Sequence, residues 1–185
     1  MPVDLASLYI LHYPDPVLRQ RAKEVPEVAD EVRSVARRMI QLMNEADGIG
    51  LAAPQVGLPW RMFVCHVPPS EQRSPETDPP TATTEPMVCI NPVLSAPLGE
   101  LKPYEEGCLS LPEITGDVHR PEHITVTATG LDGERFSRTG GGLLARCWQH
   151  EFDHLEGILI IDRMTQMSRL KNRTAVKRLE KESRL

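Results

Sequence analysis

Apolar side chains recur at helical spacing between residues 30 and 47. Their positions, three or four residues apart, place them on one face: Val32, Val35, Ala36, Met39, Leu42, Met43 and Ala46. The stripe ends at Asp47-Gly48, a pair typical of helix ends. The pattern predicts an amphipathic helix that begins near Asp30 and packs its apolar face into the core.

Shorter apolar runs predict strands in the middle of the chain. Residues 61–67 and 87–94 form two such runs, the second interrupted by Pro92. Residues 124–129 alternate apolar and polar positions, and the following Asp132-Gly133 pair predicts a hairpin turn into another strand. Residues 68–86 are instead dense in proline, serine, threonine and acidic residues, and we expect a mobile insertion loop there.

The last third of the chain predicts two more helices. The first runs from Leu143 to Leu155, with Gly157 where a helix terminator belongs. Ile158 to Ile161 predicts a short strand or core segment. Residues 165–185 predict a basic, mostly solvated C-terminal helix. Without an internal repeat, 185 residues suit one domain, so we expect a single domain over residues 1–185.

Composition excludes several classes of protein. The net charge of −5 argues against general binding to DNA, and the chain has no apolar run long enough for a membrane span. The N-terminal residues lack the basic start and apolar core of a signal peptide. Four cysteines are too few for a secreted disulfide scaffold, which favours a reducing, cytoplasmic location.

The segment from His150 to His154, HEFDH, carries the strongest chemical signal in the chain. On a helix, residues four apart lie on one face, so two imidazoles can bind the same metal ion. Glu151 follows the first histidine and can reach a water that the ion activates. The motif predicts metal-assisted hydrolysis.

A catalytic metal site needs a third protein ligand besides these histidines. Cys147 lies seven residues before His154, about 10 Å along a helix axis, whereas metal–ligand bonds are only about 2.0–2.3 Å long. We therefore expect Cys147 to be a core residue behind the site and not a ligand. Cys108, flanked by Gly107 and Pro112, lies on an extended segment that can approach a helix from outside. From this segment alone, a small buried cysteine is the preferred interpretation.

Three segments together resemble the signature motifs of the peptide deformylase family. They are GIGLAAPQVG at 48–57, EGCLSLP at 106–112 and QHEFDHLEG at 149–157. This family removes the formyl group from the N-terminal formyl-methionine of new bacterial and organellar proteins. The resemblance implies an α+β fold with mixed, largely antiparallel sheets around a central metal-binding helix, and a C-terminal helix.

The resemblance also implies roles for individual residues. The implied metal ligands are Cys108, His150 and His154. Glu151 becomes the general base and acid, while the Gln55 side chain and the Leu109 amide donate to the formyl oxygen. The implied substrate-binding residues are Ile49, Gly50, Glu106 and Arg120.

Glu106, Arg120 and one further polar residue, Arg146, have simpler interpretations from their residue types. A solvated surface acid is equally consistent with Glu106, and an exposed salt bridge is preferred for Arg120. Arg146 occupies a position where many bacterial members of the family have an apolar residue lining the methionine pocket. Since arginine is usually exposed, we expect Arg146 to point to solvent.

The resemblance implies one divalent metal ion, natively Fe(II), with zinc, nickel or cobalt as alternatives. The implied substrates are nascent formyl-methionyl polypeptides, and the basic C-terminal helix is expected to contact the ribosome through phosphates. The location implied is the bacterial cytoplasm, with an organellar copy as the alternative.

Three other hypotheses compete with this one. A zinc endopeptidase shares the HExxH motif but takes its third ligand downstream, where Glu156 follows His154 by only two residues. A structural metal domain requires a fourth protein ligand. A hydrolase with Cys108 as nucleophile predicts activity that survives chelators.

Overall fold

The computed structural model describes residues 2–182 and shows an α+β fold. Its strands are β1 (Gly50–Ala52), β2 (Met62–Cys65), β3 (Met87–Cys108), β4 (Leu111–Thr129) and β5 (Arg135–Gly141). Its α-helices are α1 (Asp30–Glu45), α2 (Gly142–Leu155), α3 (Ile160–Arg163) and α4 (Gln166–Glu182), and 3₁₀ helices lie at Leu5–Ser7, Pro16–Arg19 and Ala53–Val56.

The five strands form one sheet in the order β1-β2-β3-β4-β5. Every pairing between these strands is antiparallel, while an isolated parallel bridge joins Lys23 to Trp60. The predicted α+β class is confirmed, although the described part of the chain holds one antiparallel sheet and not several mixed ones. The chain of β4 turns at residues 130–134 into β5, as the Asp132-Gly133 pair predicts.

Strand β2 is buried on both faces and divides the core into two layers. Met62 and Val64 pack with the apolar face of α1, whereas Phe63 and Cys65 pack with α2. Alternation along a strand sends successive side chains to opposite faces, so four apolar residues serve both layers. The sheet therefore lies between α1 and α2, and α2 contacts β1, β2, β4 and β5.

The ends of α1 and α2 agree with the predictions from sequence. Helix α1 carries Asp30 and Glu31 in its first turn, where the helix dipole stabilises negative charge. The helix ends before Asp47, whose φ angle is 53°. After α2, Gly157 has φ 71°, and its N–H donates to the His154 carbonyl at 3.1 Å while Ile158 N–H donates to Asp153. These two bonds complete a Schellman motif.

Three segments differ from their predictions, and one of them is β4, which begins at Leu111 and not near residue 124. Strand β3 continues to Cys108, well beyond residue 94, because residues 93–108 pair with β4 along one edge and tolerate prolines on the other. Residues 160–163 form a short helix and not a strand, although Leu159 and Ile160 are buried as expected of a core segment.

The insertion at residues 68–86 has no strand or helix but folds back on the domain. Ala82 and Thr83 are buried, and Thr83 accepts a hydrogen bond from Val67 N–H at 3.1 Å. Its mobility stays a prediction. The C-terminal helix is confirmed for residues 166–182, and the rest of the predicted range, 183–185, lies outside the described residues.

We expect Gly157→Ala to destabilise the protein more than Gly133→Ala. Both glycines have positive φ, of 71° and 85°, so both alanines suffer a backbone cost of about 1–2 kcal/mol. A methyl group at position 157 would also lie 2.5 Å from the Arg19 carbonyl oxygen, whereas position 133 has nothing within 4 Å. The extra crowding should cost a further ~1–3 kcal/mol in urea unfolding. Equal losses of unfolding free energy in the two variants would contradict this expectation, because they would show that the 3₁₀ helix ending at Arg19 moves aside freely.

Candidate metal centre

Three potential ligands converge where the end of β3 meets helix α2. Cys108 is the last residue of β3, and His150 and His154 lie one turn apart on α2. Nε2 of His154 is 3.3 Å from Cys108 Sγ and 3.3 Å from Nε2 of His150. All three atoms lie within 4.8 Å of one another. The three are brought together as the sequence predicts, with Cys108 approaching the helix from the sheet.

A carboxylate behind His150 orients its ring. Glu106 Oε2 lies 3.1 Å from His150 Nδ1. A carboxylate only accepts hydrogen bonds, so Nδ1 of His150 carries a proton. Although burial lowers the pKa of His150, hydrogen bonds with Cys108 and Glu106 outweigh burial and raise that pKa well above its ordinary value, so a metal ion bound at Nε2 would displace a proton. Burial lowers the pKa of His154, which keeps that imidazole neutral. Neutral imidazoles with free Nε2 atoms are the form that binds metal ions.

The Glu106 carboxylate belongs to a buried ion-pair cluster. Arg120 donates to both of its oxygens, through Nε at 2.7 Å and Nη2 at 2.9 Å, and donates to Asp153 at 2.8 Å through Nη1. Glu106 is 6 % exposed and Arg120 is 5 % exposed. The expectation of an exposed salt bridge at Arg120 is therefore wrong, and so is that of a solvated acid at Glu106.

The charges in this cluster shift the pKa of Glu106. Although burial by itself raises it, the hydrogen bonds and charges of His150 and Arg120 outweigh burial and hold the pKa far below 4.5. Glu106 thus stays ionised at neutral pH. Because Arg120 commits three donor atoms to carboxylates, the geometry favours a supporting role for Arg120 over contact with a peptide.

Glu151 borders the same space without joining the ion pairs. It is 4 % exposed, and Oε2 has no hydrogen-bond partner among the described residues. Burial raises the pKa of Glu151 to about 7. A methyl group on Gly50 would lie 2.2 Å from Glu151 Oε1, so only glycine fits at position 50 with this carboxylate in place.

Gln55 is held in a fixed orientation beside Cys108. Its Oε1 accepts from Ala52 N–H at 2.8 Å, which turns the amide nitrogen toward the ligands. Nε2 lies 3.1 Å from Ser110 Oγ and 3.7 Å from Cys108 Sγ. The side chain therefore presents a donor to the centre, and Ser110 is a partner that the sequence did not identify.

A cavity of about 410 Å³ opens on these groups. One wall is the segment 47–50, which includes Ile49 and Gly50, and the other is the end of β3 with Leu109. The Ile49 carbonyl accepts from His66 N–H at 2.8 Å and from Cys147 Sγ at 3.3 Å. Cys147 is thus buried, as predicted, but it also lines the cavity together with Glu151, His150 and Cys108.

Arg146 contradicts its prediction of solvent exposure. It is 9 % exposed and donates to Glu106 Oε1 at 2.8 Å. Sequence analysis also missed Asp153, which accepts hydrogen bonds from both Arg120 and Arg163. Helical spacing was the available signal, since Arg146 and Asp153 lie four residues before and three residues after His150, on the same face of α2.

Comparison with known proteins places these features in one family. Residues 7–170 match the family model described as Polypeptide deformylase. A peptide deformylase of Maricaulis maris is 41% identical over 177 residues, spanning 96% of this chain and 94% of that protein. The chain belongs to the peptide deformylase family. Peptide deformylases are metal-dependent hydrolases that remove the N-terminal formyl group from nascent polypeptides, and this is the activity of the chain.

Two further peptide deformylases show the breadth of the likeness. The crystal structure of the Ehrlichia chaffeensis enzyme has a TM-score of 0.85 and 31% identity, covering 96% of this chain and 97% of that chain. Peptide deformylase 1B, chloroplastic, of Solanum lycopersicum is 40% identical over 167 residues, which is 89% of this chain and 56% of that protein.

We expect the buried Glu106 carboxylate to govern acid stability. Its pKa in the folded protein lies below 4.5, so the stabilisation is complete above about pH 4.5 and is lost as the pH falls further. In metal-free protein, Glu106→Gln should lower the free energy of unfolding at pH 7 by about 3–5 kcal/mol and flatten its decline below pH 4.5.

Glu113→Gln is the matched control, since the Glu113 side chain is 74% exposed. It should leave the acid dependence unchanged. Urea unfolding between pH 7 and pH 3 measures both variants. An equally steep acid decline in Glu106→Gln and wild type would remove Glu106 from this role.

Proposed function

We propose that Cys108, His150 and His154 bind one divalent metal ion, and that Glu151, Gln55 and Leu109 act on the formyl amide beside it. Three ligand atoms converge beside a cavity that also holds the Glu151 carboxylate, with His154 Nε2 3.3 Å from each of the other two, and this convergence carries the proposal. The deformylase activity of the family makes the formyl group the target of that cavity.

The spacing of the donor atoms fits a metal ion. Ligand atoms about 2.0–2.3 Å from an ion at the centre of a tetrahedron lie roughly 3.3–3.8 Å apart. Both measured contacts to His154 Nε2, at 3.3 Å, lie at the short end of this range. Among the described residues, the only group of three or more such ligand side chains is this one, which leaves a fourth position for substrate or water and argues against a closed structural site.

One thiolate and two imidazoles suit both Fe(II) and zinc. We propose Fe(II) as the native metal, as the family resemblance implies, with zinc, nickel or cobalt as functional or inhibitory substitutes. A divalent ion here would supply Lewis acidity, which activates water at neutral pH and polarises a carbonyl group. Metal analysis of protein purified without oxygen distinguishes these ions.

Glu151 is proposed as the group that moves protons. Its carboxylate takes a proton from the attacking water and later donates it to the nitrogen of the leaving amine, so that water and formamide become formate and a free amine. A pKa of about 7 suits both steps, since the group exchanges protons readily near neutral pH. Burial is the main reason that this glutamate has a pKa so far above the usual value of a carboxyl group.

Gln55 and Leu109 are proposed to stabilise the negative charge that develops on the formyl oxygen. The Gln55 amide nitrogen is already turned toward Cys108 by the bond from Ala52 N–H, so it needs no reorganisation to donate. Leu109 directly follows Cys108 and lines the cavity, which supports its backbone amide as the second donor to the formyl oxygen.

The peptide is proposed to lie between the two walls of the cavity, with Ile49 and Gly50 on one side. Glu106, which also lines the cavity, is proposed to face the amino end of the substrate while holding His150. Arg120 supports Glu106 from behind. We treat residues 1–185 as one catalytic domain.

We expect Glu151→Ala to abolish formate release while the metal stays bound, because Glu151 is not a ligand in this proposal. Cys108→Ala should lose both metal and activity, since it removes one of three ligands. Formate from formyl-Met-Ala-Ser and metal content are measured on the same anaerobic sample. Glu156→Ala, directly after the same helix, is the matched control and should keep both, because Glu156 pairs with Arg61 and lies outside the ligand group.

Other outcomes identify the competing functions. Loss of metal in Glu151→Ala contradicts the role of Glu151. Cleavage of internal peptide bonds without formate release favours an endopeptidase. Activity that survives chelators but not alkylation of Cys108 favours a cysteine nucleophile.

We also propose that α4 contacts the ribosome through its basic side chains. Five exposed cations with no ion-pair partner among the described residues project from it: Arg169, Lys171, Arg173, Lys177 and Lys181. Phosphate groups attract such a surface although the chain as a whole has a net charge of −5. Deleting α4 would confuse the test, because Asn172 on this helix is buried and donates to the Thr115 carbonyl at 2.7 Å.

A charge-removal variant tests ribosome contact while keeping the helix. Replacing Arg169, Lys171, Arg173 and Lys177 with Gln should weaken co-sedimentation with ribosomes. The slope of log binding constant against log salt concentration should fall by up to about four, about one for each lost phosphate contact. The control replaces four exposed cations elsewhere: Arg21, Lys23, Arg37 and Arg135. Equal co-sedimentation of the two variants would contradict the proposal.

The cytoplasm is the proposed location. All four cysteines are unpaired, which suits a reducing compartment. No helix among the described residues is long and apolar enough to cross a membrane. The chloroplastic name of the tomato relative keeps an organellar location as the alternative.

A further inference from the structure

Arg146 joins three parts of the molecule at one guanidinium group. Nη1 donates to Glu106 Oε1 at 2.8 Å and to the Val118 carbonyl at 2.9 Å, and Nη2 donates to the Lys102 carbonyl at 2.8 Å. The guanidinium also lies 5.3 Å from the centre of the Tyr104 ring. A single side chain of α2 thereby binds both strands of the β3–β4 hairpin.

The three contacts on the hairpin lie on two residue pairs of the sheet, with the Pro103–His119 pair between them. Tyr104 pairs with Val118, and Lys102 pairs with Arg120. The guanidinium therefore fixes the hairpin next to the point where Arg120 enters the buried cluster. Its position on α2, four residues before His150, places it on the same face as that imidazole.

Glu106 receives four donors, two at each carboxylate oxygen. Oε1 accepts from Arg120 Nε and Arg146 Nη1, whereas Oε2 accepts from Arg120 Nη2 and His150 Nδ1. Removing Arg146 leaves Arg120 as the one donor to Oε1 and also removes the bonds from α2 to Val118 and Lys102, so Glu106 is held less firmly against His150. The contact from Arg146 thus reaches the metal centre through Glu106.

We propose that Arg146 is a positioning residue for the metal centre, which holds Glu106 against His150 by fastening the β3–β4 hairpin to α2. This inference rests on the proposed metal-binding role of His150. It assigns a function to a buried arginine at a position that the family resemblance associates with an apolar pocket wall. It also predicts that Arg146 affects metal affinity although it is no ligand, as groups that orient metal ligands do.

Arg146→Met removes the guanidinium while keeping a side chain of similar length, and it is the test variant. We expect its dissociation constant for cobalt to rise by at least about tenfold in chelator competition, and the visible spectrum of the cobalt-loaded protein to change. Arg146→Lys keeps one cation near Glu106 but cannot bridge three acceptors, so it should recover part of the affinity.

Arg163→Met is the matched control. Arg163 pairs with Asp153 in the same cluster, but its side chain is 48% exposed and makes no contact with Glu106. It should keep the cobalt affinity within about twofold and leave the spectrum unchanged. Thermal unfolding of the metal-free variants separates a general loss of stability from a change at the centre.

The outcomes separate this inference from the proposed function. Cobalt affinity and spectrum in Arg146→Met that equal those of wild type and Arg163→Met would overturn the positioning role while leaving the ligand set intact. A similar loss in both arginine variants would also overturn it, because it would reflect the cluster as a whole. Wild-type protein that binds no cobalt would overturn the ligand set, and the positioning role with it.

Discussion

The buried carboxylate of Glu106 is the interaction on which the metal centre depends. It is reached by Arg120 from β4, by Arg146 and His150 from α2, and it lies two residues before Cys108 on β3. One group therefore fixes the strand that carries Cys108 relative to the helix that carries both histidines. Three ligands from two elements can meet at one point only if this relation is rigid.

Burial makes this arrangement demanding as well as rigid. An ionised carboxylate without partners would cost several kcal/mol in the interior, so Glu106 and Asp153 require the cations that surround them. Glu151 lies in the same interior without a cation in direct contact, and its pKa rises to about 7. The same interior thus holds one carboxylate, Glu106, that is kept ionised for support, and another, Glu151, that can exchange protons.

Sequence predicted the parts of this structure that local spacing determines. The HExxH motif placed His150 and His154 on one face, and glycine after Leu155 marked the end of α2. The choice of Cys108 needed the family resemblance, because its segment alone is compatible with an ordinary buried cysteine. Its partners lie 42 and 46 residues away in the chain, a distance that no local pattern encodes.

The failures have a common physical origin in tertiary partners. Arg146 was expected at the surface because arginine is costly to bury alone, and its buried position depends on Glu106, 40 residues earlier. The apolar run that predicted β3 ends at residue 94, although the strand continues to Cys108 and includes Pro97 and Pro103. They are tolerated because residues 93–108 pair with β4 alone, which leaves an edge that needs no donors.

X-ray absorption spectroscopy measures the ligand set most directly, with spectra recorded at the absorption edge of the metal that anaerobically purified protein retains. The structure predicts one sulfur at about 2.3 Å and two imidazole nitrogens at about 2.0–2.2 Å, with the remaining coordination from a light atom. A first shell without sulfur, or with a second sulfur or a third imidazole, would contradict a centre built from Cys108, His150 and His154.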